Sequence, residues 1–125
     1  MDIFNRIKNM KILLVDDDEW IRDSLTLFFE SEGCHLTALE NAERGLKAIE
    51  EQNYDIIIAD YKLPGMNGLD FLKQIQGTHP NAIKILITAY GSKAVVAEAS
   101  KVGIQDFIEK PFSSDIIEGS LSALI

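Results

Sequence analysis

Residues 11–20 read KILLVDDDEW: five residues of strand composition run directly into three consecutive aspartates and the start of a helical pattern. A short apolar run that stops at polar residues and is followed by an amphipathic stretch is one β-then-α unit. The same alternation continues down the chain. CHLTAL (34–39), DIIIA (55–59), AIKILIT (82–88) and GIQDFIE (103–109) are the further strand-like runs. DIIIA and ILIT are almost continuously apolar, as expected of strands covered on both faces of a parallel sheet.

Helical patterns fill the gaps. Asp18 is placed to cap a helix whose Ile21, Leu25, Phe28 and Phe29 share a face, with Gly33 as its stop. Asn41 is placed to cap a second, with Ala42, Leu46 and Ile49 inward. A third carries Leu69, Phe71, Leu72 and Ile75 and is expected to end at Gly77. A fourth spans 92–102 before Gly103, and a fifth opens at Ser113 or Ser114, with Gly119 inside it as a point of fraying. Repeated β-then-α units imply right-handed crossovers and a three-layer, doubly wound α/β fold.

The composition agrees with one such domain. The chain has 125 residues, 46% hydrophobic and 26% charged, which is enough apolar material for a core without disulfides. Cys34, the only cysteine, cannot form an internal disulfide and reads as a small packed residue. The opening MDIFNRIKNMK lacks the apolar run of a secretory signal, and no later run is long enough to span a bilayer, so a cytoplasmic location is expected. Residues 1–10 read as an extension ahead of a domain covering 11–125. A formal net charge of −8 argues against direct nucleic-acid binding.

In open parallel sheets the ligand crevice lies beyond the carboxyl ends of the strands. The first strand ends in Asp16, Asp17 and Asp18, the third in Asp60, the fourth in Thr88 and the fifth in Lys110. Acids, a hydroxyl and an ammonium thus converge on one edge. Several carboxylates there repel an anion and favour a hard divalent cation, Mg²⁺ (or Mn²⁺), held at roughly 2.1 Å. Asp18 is better suited to capping than to ligation.

Taken together, ILLVDDDEW, IIIADYKLPGMNGLDFL, ILITAYG and DFIEKPF stand in the order and spacing of the response regulator receiver family, which nearly the whole chain resembles. The resemblance implies a flavodoxin-like fold with strand order 2-1-3-4-5. It implies that Asp60 accepts a phosphoryl group from a phosphohistidine on a sensor histidine kinase or a histidine phosphotransfer protein. Asp16, Asp17, the Asp60 carboxylate and the Lys62 backbone carbonyl would serve the metal. Thr88 and Lys110 would engage the phosphoryl group, and Phe107 would be the switch aromatic that follows Thr88. The side chains of Lys62 and Tyr90 would border the phosphoryl group and set its lifetime. Pro64, Gly65 and Gly68 match the family's loop after the acceptor. The family also implies signalling, with a possible homodimer, through the fourth helix, fifth strand and fifth helix, where Ala94, Val95, Ala99, Ile116 and Ile117 lie. Such a protein is a regulatory switch with self-directed chemistry only.

Two other functions fit parts of the sequence. Asp16-x-Asp18 after an apolar strand resembles the first motif of haloacid-dehalogenase-type phosphatases, with Asp16 as nucleophile; that reading leaves Asp60 and the DYKLPGMNG loop unexplained. A flavodoxin-type electron carrier shares the architecture, but three acids stand where a phosphate-binding loop is needed.

Overall fold

The computed structural model describes residues 3–89 and 93–125. Eleven elements follow in chain order: α1 (Ile3–Ile7), β1 (Ile12–Val15), α2 (Glu19–Ser31), β2 (Leu36–Leu39), α3 (Ala42–Glu51), β3 (Ile56–Asp60), α4 (Gly68–Thr78), β4 (Ile83–Thr88), α5 (Lys93–Lys101), β5 (Asp106–Glu109) and α6 (Ser114–Leu124). The five strands form one parallel sheet in the order β2-β1-β3-β4-β5. This is the expected topology. The chain reverses its winding between β1 and β3, which opens a crevice above their carboxyl ends.

Alternation along the strands divides the core in two. Ile12, Leu14, Ile56, Ile58, Ile85 and Ile87 face α1, α2 and α6. Leu13, Val15, Ile57, Ala59 and Leu86 face α3, α4 and α5. Both faces of the central strands are buried, which explains why the sequence shows continuous apolar runs there and not an apolar-polar alternation.

Local chemistry sets the helix starts. Asp18 accepts from the Trp20 and Ile21 amides, and Asn41 accepts from the Arg44 amide. Asn67 does the same for α4 through the Asp70 amide, a cap the sequence reading did not single out. Gly33 and Gly103 have positive φ, as expected of helix stops. Gly77 does not stop α4: the helix runs through it to Thr78 and is closed by the His79 amide on the Ile75 carbonyl. Gly119 likewise lies within α6, which continues to Leu124.

The N-terminal segment holds the one element absent from the expected pattern. α1 buries Ile3, Phe4 and Ile7 in the same core layer as α2 and α6. Phe4 meets Phe28 edge to face, with ring centroids 5.5 Å apart, and Arg6 donates to the Ile125 carbonyl. The spacing Ile3, Phe4, Ile7 is a helical signal, but five residues are too few for periodicity to declare it.

Candidate functional site

The site is built where β1 and β3 stop. β1 carries Asp16 out of its last residue, and the Asp16 amide still bonds the Leu39 carbonyl, so the turn into α2 begins in sheet geometry. Asp16 is fully buried; its Oδ1 accepts from the Asp18 amide at 2.9 Å. The carbonyl of Asp16 accepts from the Arg22 guanidinium at 2.9 Å. Arg22 was not among the sequence candidates. It lies one turn into α2 behind the acids, and only the folded turn brings it back onto them.

β3 ends in Asp60, 4% exposed, and the loop behind it is folded tightly. The Tyr61 carbonyl accepts from both the Leu63 and Gly68 amides. A Cβ at Gly68 would sit 2.0 Å from the Asp60 carbonyl oxygen, so only glycine allows α4 to start this close to β3. Gly65 takes φ +74 at the loop's tip, where Glu43 of α3 accepts from the neighbouring Met66 amide at 3.4 Å.

Lys110 closes the arrangement from β5. Its amide bonds the Thr88 carbonyl, and its Nζ reaches Asp60 Oδ2 at 3.0 Å and Asp16 Oδ2 at 3.4 Å. One ammonium therefore faces two buried carboxylates. Asp16 Oδ2 has no hydrogen-bond partner beyond that longer ion pair. Burial pushes the Asp16 carboxyl up to about 6, the Asp18 amide pulls it down, and the charge of Asp60 raises it further. Asp60 is also raised by burial, against the pull of its bond to Lys110. Burial works against the Lys110 ammonium, but the bond to Asp60 and the charge of Asp16 hold its pKa above the ordinary value.

Among the described residues Lys110 is the cation paired with Asp16 and Asp60, and Asp17 adds a third acid, which leaves the cluster short of paired positive charge. Among the described residues, Asp16, Asp17 and Asp60 form the one cluster able to hold a metal, each offering an oxygen within 4.8 Å of the others. All three are hard oxygen donors, two are buried and one is exposed, and among the described residues the buried Asp16 Oδ2 has only the longer contact with Lys110. This set fits Mg²⁺ or Mn²⁺, which take carboxylates on one side and keep water on the other.

The remaining sequence candidates are placed as follows. Asp17, Asp18, Asp60, Tyr61, Lys62, Ala89 and Lys110 line an open cleft of about 530 Å³. Thr88 is 2% exposed at the end of β4 and does not line that cleft; Ala89 does. Lys62 is exposed, and its backbone amide bonds the Asp60 carboxylate. Phe107 is half-buried and packs with the core layer beneath α5. Ala99 and Ile117 are buried in the core, while Ala94 and Ile116 face outward. Tyr90 lies outside the described residues, as does the expected helix start at Ser92. Beside the cleft, an apolar groove of about 460 Å³ runs between α2 and residues 110–114, edged by Trp20, which is 77% exposed.

Comparison with known proteins shows the family. Residues 12–121 match the family described as response regulator receiver domain. Over 113 residues the chain is 33% identical to sporulation initiation phosphotransferase F of Bacillus subtilis, covering 90% of this chain and 91% of that protein. It is 30% identical to the transcriptional regulatory protein FixJ of Bradyrhizobium diazoefficiens, covering 91% of this chain and 56% of the relative. The chain thus spans about half the length of FixJ and nearly all of the phosphotransferase. Among solved structures, the beryllofluoride-activated NtrC4 receiver domain dimer superposes with a TM-score of 0.83 at 32% identity, over 90% of this chain and 93% of that one.

Proposed function

The chain belongs to the response regulator receiver domain family of two-component signalling, and from that premise we propose that it is phosphorylated on Asp60. The observation that carries the reading is Lys110 bonded to Asp60 beside the acidic cluster. A carboxylate is a weak nucleophile toward an anionic phosphoryl group unless charge on the transferring oxygens is offset.

An Asp60 oxygen attacks the phosphorus of a phosphohistidine, the P–N bond breaks, and an acyl phosphate forms. Lys110 is already within ion-pair reach of both acids, so its ammonium follows the new negative charge without leaving the site. Asp16, Asp17, Asp60 and the Lys62 carbonyl would hold Mg²⁺ or Mn²⁺, which supplies the charge that the single ammonium does not. Water later attacks the phosphorus, releasing inorganic phosphate and restoring Asp60. The exposed Lys62 side chain, with Tyr90, tunes the rate of that second step.

The added charge and acceptor oxygens draw Thr88 from its buried position toward the phosphoryl group, and Phe107 moves into the space released. The face formed by α5, β5 and α6 reports the change to an output domain, a partner or a second copy. The outward Ala94 and Ile116 support that face, and a second copy is in keeping with a structural relative that is a dimer when activated by beryllofluoride. The donor is a histidine kinase or phosphotransfer protein. Among the described residues no helix is long and apolar enough to cross a membrane.

The test is phosphorylation by a small phosphodonor with Mg²⁺, read by intact mass. The increment is expected in the native chain and absent in Asp60→Asn. If Asp60→Asn still gains the phosphoryl group while Asp16→Asn does not, Asp16 is the nucleophile and the receiver reading is wrong.

A further inference from the structure

We infer that Asp106 is a positioning residue that couples the Phe107 switch to helix α6, through one carboxylate shared between the Phe107 backbone and Ser120. Asp106 Oδ1 accepts from the Phe107 amide at 2.8 Å. Its Oδ2 accepts from the Ser120 hydroxyl on α6. Side chains alternate along a strand, so Asp106 points to the layer opposite Phe107. The flanking residues agree: Phe107 packs with the α3–α5 layer, and Ile108 belongs to the layer of α1, α2 and α6. The carboxylate therefore joins the backbone of a residue serving one layer to a helix in the other.

Ser120 is 7% exposed, and its neighbours Ile117 and Leu121 are fully buried. An alanine would pack on that face without needing a partner. A buried hydroxyl there requires one, and the fold supplies it one residue before the switch. A charge-assisted bond resists stretching, since losing it strands the buried Ser120 hydroxyl without an acceptor. Any shift of β5 at Asp106 and Phe107 that accompanies the inward movement of the Phe107 ring carries the Asp106 carboxylate with it, and α6 follows through Ser120. The coupling is reciprocal, so whatever fixes α6 also biases Phe107. This device rests on the phosphorylation reading and specifies how the signal reaches the C-terminal helix.

The experiment uses the full chain and amide NMR spectra recorded before and after adding Mg²⁺ with beryllofluoride. In the native chain, resonances at Asp60 and its loop and those of α6 around Ile117 and Leu121 are expected to move together. Ser120→Ala is expected to retain the response at Asp60, with analogue affinity within about threefold, while α6 shifts shrink about twofold or more. Asp106→Asn keeps an acceptor for the Phe107 amide and a donor toward Ser120, so it should restore the α6 response that Asp106→Ala loses. If Asp106→Ala does not fold, Ser120→Ala alone decides the matter. Full α6 shifts in Ser120→Ala, with the Asp60 response intact, overturn the coupling and leave the receiver reading standing. No response at Asp60 in the native chain overturns both.

Discussion

Asp16 has lost all contact with solvent, and its carboxyl is held at about 6 because burial disfavours the charged form. The sign of the stability effect follows. The unfolded carboxyl titrates near 3.8, so the folded protein binds this proton more tightly. The stabilisation is complete below the unfolded value and is lost as pH rises through about 6, a change of up to about 3 kcal/mol. A divalent cation favours the ionised form and acts in the opposite direction. Mg²⁺ is therefore expected to raise the thermal midpoint more at about pH 7.5 than at about pH 5, where it competes with the proton. Equal Mg²⁺ increments at the two pH values in a melting series would show that Asp16 is not part of the metal site. The sequence placed Asp16, Asp17, Asp60 and Lys110 on one edge. It gave no sign that Lys110 would bridge two acids or that Arg22 would brace the turn, because those contacts depend on side-chain reach across separate elements.

At the scale of elements, the helix boundaries separate local from tertiary causes. Asp18 and Asn41 cap as read, since capping depends on residues two or three positions apart. Glycine often ends helices, but α4 is held by Leu69, Leu72 and Ile75 against the sheet and continues past Gly77. A Cβ at Gly77 or at Gly119 meets nothing within 4 Å. Gly77→Ala and Gly119→Ala are therefore each expected to stabilise the protein by roughly 0.5–1 kcal/mol in denaturant unfolding. A loss of stability in either variant would mean that the glycine serves a conformation other than the helix described. Lys84 marks a further limit of local reading. It sits in a strand between apolar residues, fully buried, with Nζ on the Ala82 carbonyl, and burial lowers its pKa. Nothing in its neighbours along the chain distinguishes it from a solvated lysine.

For the molecule as a whole, α1 extends the family's sheet-and-helix core. The family match begins at residue 12, yet Ile3, Phe4 and Ile7 are buried among α2 and α6, at the end of the sheet away from the acids. Phe4→Ala is expected to cost about 3–4 kcal/mol in unfolding free energy while Asp60 remains phosphorylatable in the folded protein. A negligible cost would mean that α1 contributes little to the core.

The sequence by itself determined the order of strands and helices, the layering and the identity of the polar strand ends. Those features follow from hydrophobic period, capping and turn chemistry, which act over a few residues, and from the chirality of β-then-α units. Only the tertiary structure decided that α1 joins the core, that Thr88 is buried out of the open cleft, and that one Asp106 carboxylate ties Phe107 to Ser120. These depend on which side chains meet across elements far apart in the chain, and packing and desolvation settle that when the layers close.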